Sequence, residues 1–249
     1  MAPKIKPTFL PSIFTSGNLF CGMYAVMEAM RGDSYRGAWF VVLAAFFDVA
    51  DGFVARMTGH ASRFGVEFDS LSDVISFVLA PVLLAWPLCF RQLGVPGAVL
   101  AFVFVAAGTI RLARFNVEVK SLVTKSDFRG LPTPAAGCLV AGYLIFSRYV
   151  AGTVVWPGFL AALIVVLAGL MVSTVEYPSF PKLANRSLHS YVTYGIMVLG
   201  VIGLVVRPQL TIFPVLFMYL LLGLTGWVAG AAVKLYKHKG KRSINRADS

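Results

Sequence analysis

The chain has 249 residues, of which 58% are hydrophobic and only 13% are charged. Soluble domains carry about 25% charged residues, so this composition argues against a soluble globular protein, and its hydrophobicity excludes a disordered one. The net charge of +11 comes from 22 basic and 11 acidic residues. In a soluble protein such a basic excess would indicate nucleic-acid binding. In a membrane protein it more often marks the loops that face the cytoplasm, and the positions of the charges along the chain decide between the two interpretations.

Apolar stretches long enough to cross a bilayer recur along the whole chain. A membrane-spanning helix needs about 20 residues. Eight spans are predicted, at about 10–30, 37–57, 67–90, 94–114, 134–150, 154–174, 188–206 and 210–235. The first is polar over its first two turns, and no alternation of polar and apolar residues favours strands. The predicted fold class is therefore all-α, a polytopic integral membrane protein.

The basic residues divide unequally between the two ends of these spans. Seventeen of the 22 fall on the side of the N-terminus. The other side holds five: Arg31, Arg36, Arg91, Arg148 and Arg207. Because cytoplasmic loops are enriched in Lys and Arg, both termini are predicted to be cytoplasmic in a multi-pass protein of the inner or plasma membrane. The basic run from Lys234 is expected to contact anionic lipids, and nucleic acid is not expected as a partner.

The acidic residues are concentrated in one stretch, residues 48–73. Five of the eleven lie there: Asp48, Asp51, Glu67, Asp69 and Asp73. Acids inside spans are costly and mark functional sites. The i, i+3 and i, i+4 spacings place Asp48 with Asp51, and Asp69 with Asp73, on single helix faces. A short linker at 57–66 would make the two helices antiparallel neighbours, so these four carboxylates are predicted to converge, with Glu67 on another face.

Converging carboxylates repel one another unless cations neutralise them. Oxygen ligands select hard cations such as Mg²⁺, Mn²⁺ or Ca²⁺, so the four aspartates are candidate metal ligands. Two other interpretations remain open at this point. The acids could form helix-end ion pairs with Arg56 and Arg63, or they could serve a proton- or ion-coupled transporter.

The full stretch is more specific than the acids alone. Residues 48–73 read DVADGFVARMTGHASRFGVEFDSLSD, which is D-x2-D-G-x2-A-R-x8-G-x3-D-x3-D. This string resembles the signature of the CDP-alcohol phosphotransferase family. The resemblance implies a single membrane-embedded domain over 1–249 with a six-helix core at about 8–185. The spans at about 188–235 would be peripheral, and 236–249 would form a basic cytoplasmic tail.

The resemblance also implies an activity and roles for the matching positions. Family members cleave the pyrophosphate of a CDP-linked lipid or alcohol, release CMP, and are commonly homodimers. Asp48, Asp51 and Asp69 would hold two divalent ions, Mg²⁺ or Mn²⁺, with Ca²⁺ as a non-productive substitute. Asp73 would complete the metal site and act as the general base. The expected CDP-lipid contacts are Thr15, Asn18, Asp48, Gly52, Ala55, Arg56, Arg63 and Gly65.

Three further stretches bear on the acceptor alcohol. Residues 11–22 read PSIFTSGNLFCG, 111–116 read RLARFN and 128–136 read FRGLPTPAA. Together they are similar to the membrane-embedded phosphatidylserine synthase branch, which implies transfer of a phosphatidyl group from CDP-diacylglycerol to L-serine. The serine carboxylate would need a cationic fork, and the candidate serine-binding residues are Arg111, Arg114, Asn116 and Thr133. Inositol phosphate, glycerol phosphate or choline as acceptor, or an archaeal ether lipid as donor, remain alternatives.

Overall fold

The computed structural model describes residues 9–58, 63–120, 130–173 and 203–225. Every regular element in these ranges is helical, which confirms the all-α prediction. The main helices are α1 (Phe9–Arg31), α2 (Ser34–Thr58), α3 (Arg63–Asp73), α4 (Ala80–Ala85), α5 (Val95–Lys120), α6 (Thr133–Ala151), α7 (Pro157–Val172) and α8 (Pro208–Thr225).

Within the described ranges, five helical stretches are long and apolar enough to cross a membrane. They are Ser34–Met57, Phe64–Leu93, Val95–Val117, Thr133–Ala151 and Pro208–Thr225. The apolar helix α7 is shorter, with 16 residues, and α1 has 23 residues but is not among the five. A polytopic membrane protein is confirmed, and each of the first six predicted spans corresponds to helix. The span predicted at 188–206 lies mostly outside the described residues, as do the end of the last span and the basic tail.

The stretch Phe64–Leu93 crosses the bundle without a break although it contains two prolines. It joins α3, a π-helical turn (Val74–Leu79), α4, a second π-helical turn (Trp86–Phe90) and a 3₁₀ turn (Arg91–Leu93). Proline has no N–H to donate to the carbonyl four residues before it. Near Pro81 and Pro87, backbone amides donate to the carbonyl five residues before them instead of four. The Ala80 amide, for example, donates to the carbonyl of Ile75. One continuous element therefore carries Asp69 and Asp73 from the bundle end into the core.

Glycines let neighbouring helices approach the π-helical turn that follows Asp73. A Cβ on Gly137 of α6 would lie 2.7 Å from the carbonyl oxygen of Phe77. A Cβ on Gly22 of α1 would lie 2.8 Å from the Cα of Ser76, whose hydroxyl donates to the carbonyl of Asn18 at 3.0 Å. Helices α1 and α6 therefore pack closely against the backbone of this π-helical turn. Their packing fixes how deep in the bundle the preceding residue, Asp73, lies.

The bundle has two distinct ends, which we call the site end and the opposite end. At the opposite end α1 turns into α2 through Gly32, whose φ of +82° favours glycine. At the site end α2 ends and α3 begins. The five arginines assigned by sequence to the minority side are all exposed, and each lies in or beside a helix terminus at the opposite end: Arg31, Arg36, Arg91, Arg148 and Arg207.

Candidate active site

Three of the four predicted metal ligands come together near the site end. Asp48 of α2 and Asp69 and Asp73 of α3 each offer a carboxylate oxygen, and these oxygens lie within 4.8 Å of one another. Asp73 is buried, whereas Asp48 and Asp69 are half-buried. Asp48 precedes the last residue of α2 by ten positions, which is about 15 Å of helix. The carboxylates therefore lie inside the bundle and not on its end surface.

Two polar residues of α1 contact the acidic cluster directly. The Thr15 hydroxyl donates to Asp51, which is buried and lies outside the group of three. The Asn18 amide donates from Nδ2 to Oδ1 of Asp73 at 3.0 Å. The sequence suggested a role for Thr15 and Asn18 in binding the CDP-lipid, and the structure places both against aspartates.

The acidic cluster fits a divalent cation by its donor chemistry. In the described part of the chain, none of Asp48, Asp51, Asp69 and Asp73 forms an ion pair. Oδ1 of Asp69 is buried with no hydrogen-bond partner. Buried carboxylates without compensation are strongly unfavourable. A hard cation with oxygen ligands would neutralise them and occupy the unpartnered oxygen.

Arg111 of α5 is the basic residue associated with this cluster. Its guanidinium interacts electrostatically with Asp73 and Asp48. Nη1 donates to Oγ1 of Thr133 at 3.1 Å, and the Phe115 ring centroid lies 5.9 Å from Cζ. Nε is buried and has no hydrogen-bond partner. Arg111 thus has a donor available to a ligand beside the carboxylates.

The position of Thr133 depends on the turn that precedes α6. Gly130 has φ +83°, and a Cβ on it would lie 2.6 Å from the carbonyl oxygen of Met171. The amide of Leu131 donates to the carbonyl of Leu170 at 3.1 Å. Only glycine suits both the backbone conformation and the close approach at 130. The turn is therefore fixed to the end of α7 and sets the start of α6.

The other two predicted serine ligands contact protein groups. Arg114 is exposed and donates to the carbonyl of Val172, the last residue of α7, at 3.2 Å. A cation at this position is favoured by the partial negative charge of the helix C-terminus. Asn116 donates to Glu67 at 3.2 Å and accepts from the Ser70 hydroxyl at 3.0 Å. The sequence predicts that Glu67 lies on a different helix face from the four aspartates. Because Glu67 and Ser70 are three residues apart, their side chains share one face of α3. Both contact Asn116, so this face lies against α5.

The remaining motif residues line α2 and the start of α3. A Cβ on Gly52 would meet only the far end of Arg56, with Nη1 at 3.7 Å, so the surface beside Gly52 is open. Arg56 is exposed and Ala55 is half-buried one residue before it. Gly65 lies in the first turn of α3, and the side chain of Arg63 lies outside the described residues.

The chain belongs to the CDP-alcohol phosphatidyltransferase family, whose model matches residues 8–175. That range contains α1 to α7 and every aspartate of the cluster, while α8 lies beyond it. The resemblance drawn from the acidic motif is therefore confirmed at the level of the family.

Two proteins similar to this chain have names that specify the reaction they catalyse. A Helicobacter pylori CDP-diacylglycerol–serine O-phosphatidyltransferase is 36% identical over 243 residues, covering 95% of this chain and 98% of its own. A Bacillus subtilis protein of the same name is 32% identical over 183 residues, covering 73% and 97%. The crystal structure of Mycobacterium tuberculosis phosphatidylinositol phosphate synthase has a similar fold, with a TM-score of 0.50 and 22% identity over 68% of this chain and 82% of that one.

Proposed function

We propose that this membrane enzyme transfers the phosphatidyl group of CDP-diacylglycerol to the hydroxyl of L-serine, with CMP as the second product. The observation that carries the proposal is the position of Arg111 and Thr133 beside the group formed by Asp48, Asp69 and Asp73. Relatives with that name match nearly the whole chain. A carboxylate cluster next to a half-buried guanidinium suits a reaction that joins an anionic phosphate donor to a zwitterionic acceptor.

The aspartates would hold the divalent cations of the reaction, Mg²⁺ or Mn²⁺. Asp48, Asp69 and Asp73 would provide the first set of oxygens, and Asp51, held by Thr15, would add a fourth carboxylate for a second ion. When bound, such ions neutralise charge on the pyrophosphate and stabilise the leaving phosphate. Ca²⁺ would occupy the same oxygens without supporting turnover, because it prefers more ligands and a looser geometry.

Asp73 is the proposed general base. Asn18 holds Oδ1, which leaves Oδ2 to accept a proton from the serine hydroxyl. The hydroxyl oxygen then attacks the phosphorus of the phosphatidyl group. The bond from that phosphorus to the bridging oxygen breaks, and CMP leaves with the electron pair. The proton remains on Asp73 until it passes to solvent.

Arg111 and Thr133 are the proposed acceptor-binding pair. The unpartnered Nε of Arg111 can donate to the serine carboxylate, and guanidinium–carboxylate hydrogen bonds are among the stronger ones. Arg114 and Asn116 support the site indirectly, through the end of α7 and through α3. On the donor side, the open surface at Gly52 and Ala55 would accept the nucleotide, with Arg56, Arg63 and Gly65 toward its phosphates.

The site end is proposed to face the cytoplasm of a cell membrane. All five basic residues of the opposite end are exposed in the structure, and the sequence assigns the other seventeen to the side of the site. This asymmetry matches the positive-inside rule. The enzyme would then meet its water-soluble acceptor on the cytoplasmic side. A homodimer is proposed from the family resemblance, and the mass of the purified protein in detergent tests it.

One assay tests the proposed activity. The purified chain is given CDP-diacylglycerol in mixed micelles with Mn²⁺ and, separately, serine, inositol phosphate, glycerol phosphate or choline. We expect CMP release with serine and a lipid product of the mass of phosphatidylserine. Faster turnover of another alcohol would reassign the acceptor, and no CMP with any alcohol would overturn the transferase assignment. The Asp69→Asn variant, which is expected to be inactive, gives the background rate of CMP release.

A further inference from the structure

Helix α3 carries two of the three clustered aspartates, yet its first half has little apolar packing. The side chains of Phe64 and Leu71 are 71% and 65% exposed. Two polar side chains of this part of the helix, Glu67 and Ser70, form hydrogen bonds to α5. The rotation of α3 about its own axis therefore depends on polar contacts near the site end as well as on packing in the core.

Both hydrogen bonds involve one side-chain amide, that of Asn116 in α5. Asn116 is buried, with 8% of its surface exposed. Its Nδ2 donates to Oε2 of Glu67 at 3.2 Å, and its Oδ1 accepts from the Ser70 hydroxyl at 3.0 Å. Because an ionised carboxylate can only accept, Glu67 determines which way the amide is turned and leaves the amide oxygen to Ser70. Both ends of the amide are thus bonded to one face of α3.

A second contact between the same two segments lies deeper in the bundle. A Cβ on Gly108 of α5 would lie 2.6 Å from Cγ2 of Val78, in the π-helical turn that continues α3. Gly108 and Asn116 are eight residues apart, which is about 12 Å of helix. Asp69 and Asp73 lie in the stretch that these two contacts delimit. The contacts together fix the tilt and the rotation of the segment that carries the two aspartates.

Asp69 depends on this orientation more than Asp51 and Asp73 do. The Thr15 hydroxyl of α1 donates to Asp51. Asn18, also of α1, donates to Asp73. Oδ1 of Asp69 is buried with no hydrogen-bond partner, so the orientation of α3 itself sets where this oxygen lies. A helix with its side chains is about 10–12 Å across, and a rotation of about 20° moves an atom at its edge by roughly 2 Å.

We infer that Asn116 is a positioning residue for Asp69, through which α5 sets the affinity of the aspartate group for its divalent cation. The inference rests on the proposed function, because it requires that the aspartates hold a cation. Asp48 belongs to α2 and Asp69 to α3, so a cation that both bind needs the two helices in one relative orientation. Metal–ligand distances vary by only about 0.2 Å within a site. Holding the ligands in that geometry before the cation arrives raises its affinity.

This role differs from the serine contact that the sequence suggests for Asn116. A residue that contacts serine directly would change the serine KM and leave cation binding without substrate unchanged. A positioning residue for Asp69 changes cation binding without substrate, and the side chains that bond to it on α3 have the same effect. A residue that only stabilised the bundle would lower the number of binding sites per chain and leave their dissociation constant unchanged.

The test is a titration of the purified full chain with Mn²⁺ in the absence of substrate, followed by electron paramagnetic resonance. Asn116→Leu keeps a similar volume without a hydrogen-bonding group, and it should raise the Mn²⁺ Kd by roughly tenfold, the size expected for one or two hydrogen bonds. Ser70→Ala removes one of the two bonds and should raise the Kd by roughly three- to fivefold. Thr109→Val is the matched control, because the Thr109 hydroxyl donates to the carbonyl of Val105 within α5. Its Kd should equal that of the wild type.

Two variants of Glu67 complete the test. Glu67→Gln keeps an oxygen that can accept from Nδ2 of Asn116, so its Mn²⁺ Kd should stay near that of the wild type. Glu67→Met removes the acceptor and should resemble Ser70→Ala. A wild-type Kd in Asn116→Leu, Ser70→Ala and Glu67→Met would overturn the inference, whether or not the serine KM rises.

Failure of the proposed function is recognised separately. Mn²⁺ binding is measured without an alcohol, so reassignment of the acceptor in the activity assay leaves the predicted order of Kd values unchanged. If the wild type bound no Mn²⁺, the inference would be overturned together with the proposed cation site. We expect the wild type to bind Mn²⁺ most tightly, together with Thr109→Val.

Discussion

The two ends of the bundle use the same residue types in opposite ways. At the opposite end each acid has an arginine three residues later: Glu28 pairs with Arg31 at 2.7 Å, and Asp33 pairs with Arg36 at 3.4 Å. At the site end, Asp48, Asp51, Asp69 and Asp73 have no such partner among the described residues. Each acid of the opposite end is neutralised by an arginine three residues later. The four aspartates of the site end instead require positive charge from another part of the chain or from a bound cation.

The difference separates structural acids from functional ones. Asp33 accepts a hydrogen bond at 2.9 Å from the backbone amide of Arg36, so it caps the first turn of α2 as well as pairing with its side chain. Asp69 keeps a buried oxygen with no hydrogen-bond partner. An acid that the fold has already satisfied contributes stability, and an acid that the fold leaves unsatisfied is ready for a cation or a substrate.

The largest expected effect follows removal of an unsatisfied acid. Asp69→Asn should reduce CMP release to background, a loss of more than about 10⁴-fold, because stabilisation of transition-state charge by a metal contributes several kcal/mol. CMP release from CDP-diacylglycerol and serine measures it. Asp33→Asn, the matched acid of the opposite end, should retain nearly full activity per folded molecule. Equal losses in both variants would show that the two ends do not differ in function.

Asp73→Asn separates binding from chemistry. The amide cannot accept the proton of the acceptor hydroxyl, so turnover should fall on the order of 10²- to 10⁴-fold. Binding of CDP-diacylglycerol in the presence of Mn²⁺ should fall much less than turnover does, because Asp48, Asp51 and Asp69 still offer carboxylate oxygens to a cation. Rapid-quench turnover and equilibrium binding of the labelled lipid measure the two properties. Normal turnover in this variant would assign the base elsewhere.

Two arginines on one helix sharpen the comparison further. Arg111→Lys should raise the serine KM by roughly 10- to 100-fold, because a lysine loses the fork that a carboxylate needs. Arg114→Lys should leave that KM unchanged, since Arg114 contacts the end of α7. Steady-state kinetics with serine varied at saturating CDP-lipid measure both. A larger effect at Arg114 would move the acceptor site toward the bundle surface.

The smallest expected effect concerns stability at the opposite end. Asp33→Ala removes the cap of α2 and should cost about 1 kcal/mol of folding free energy. The thermal midpoint in detergent should fall while kcat and both KM values stay the same. Asp33→Asn, which keeps a capping oxygen, should restore most of the midpoint. A change in the serine KM would mean that this end communicates with the site.

Much of this fold follows from sequence patterns. Long apolar runs predicted the helices, because backbone in a bilayer must satisfy its hydrogen bonds within each segment. The i, i+4 spacing anticipated that Asp69 and Asp73 share a face, and the short linker at 57–66 anticipated that they meet Asp48. Asp51, which was predicted to converge with them, lies outside this group of three. The π-helical turns were not predicted, although Pro81 shows where the usual ladder of hydrogen bonds cannot continue.

Contacts between distant segments were harder to infer. Arg111 and Arg114 are equivalent in sequence, three residues apart, yet one lies beside the aspartates and the other at the end of α7. The difference depends on where the turn at Gly130 fixes α6 and α7, which no local pattern encodes.

Mn²⁺ binding to the purified full chain, measured by electron paramagnetic resonance, tests the central claim that the unpaired aspartates hold a divalent cation. The account predicts binding in the wild type and in Asp33→Asn, and a loss of it in Asp69→Asn. Equal binding in all three proteins would contradict the claim.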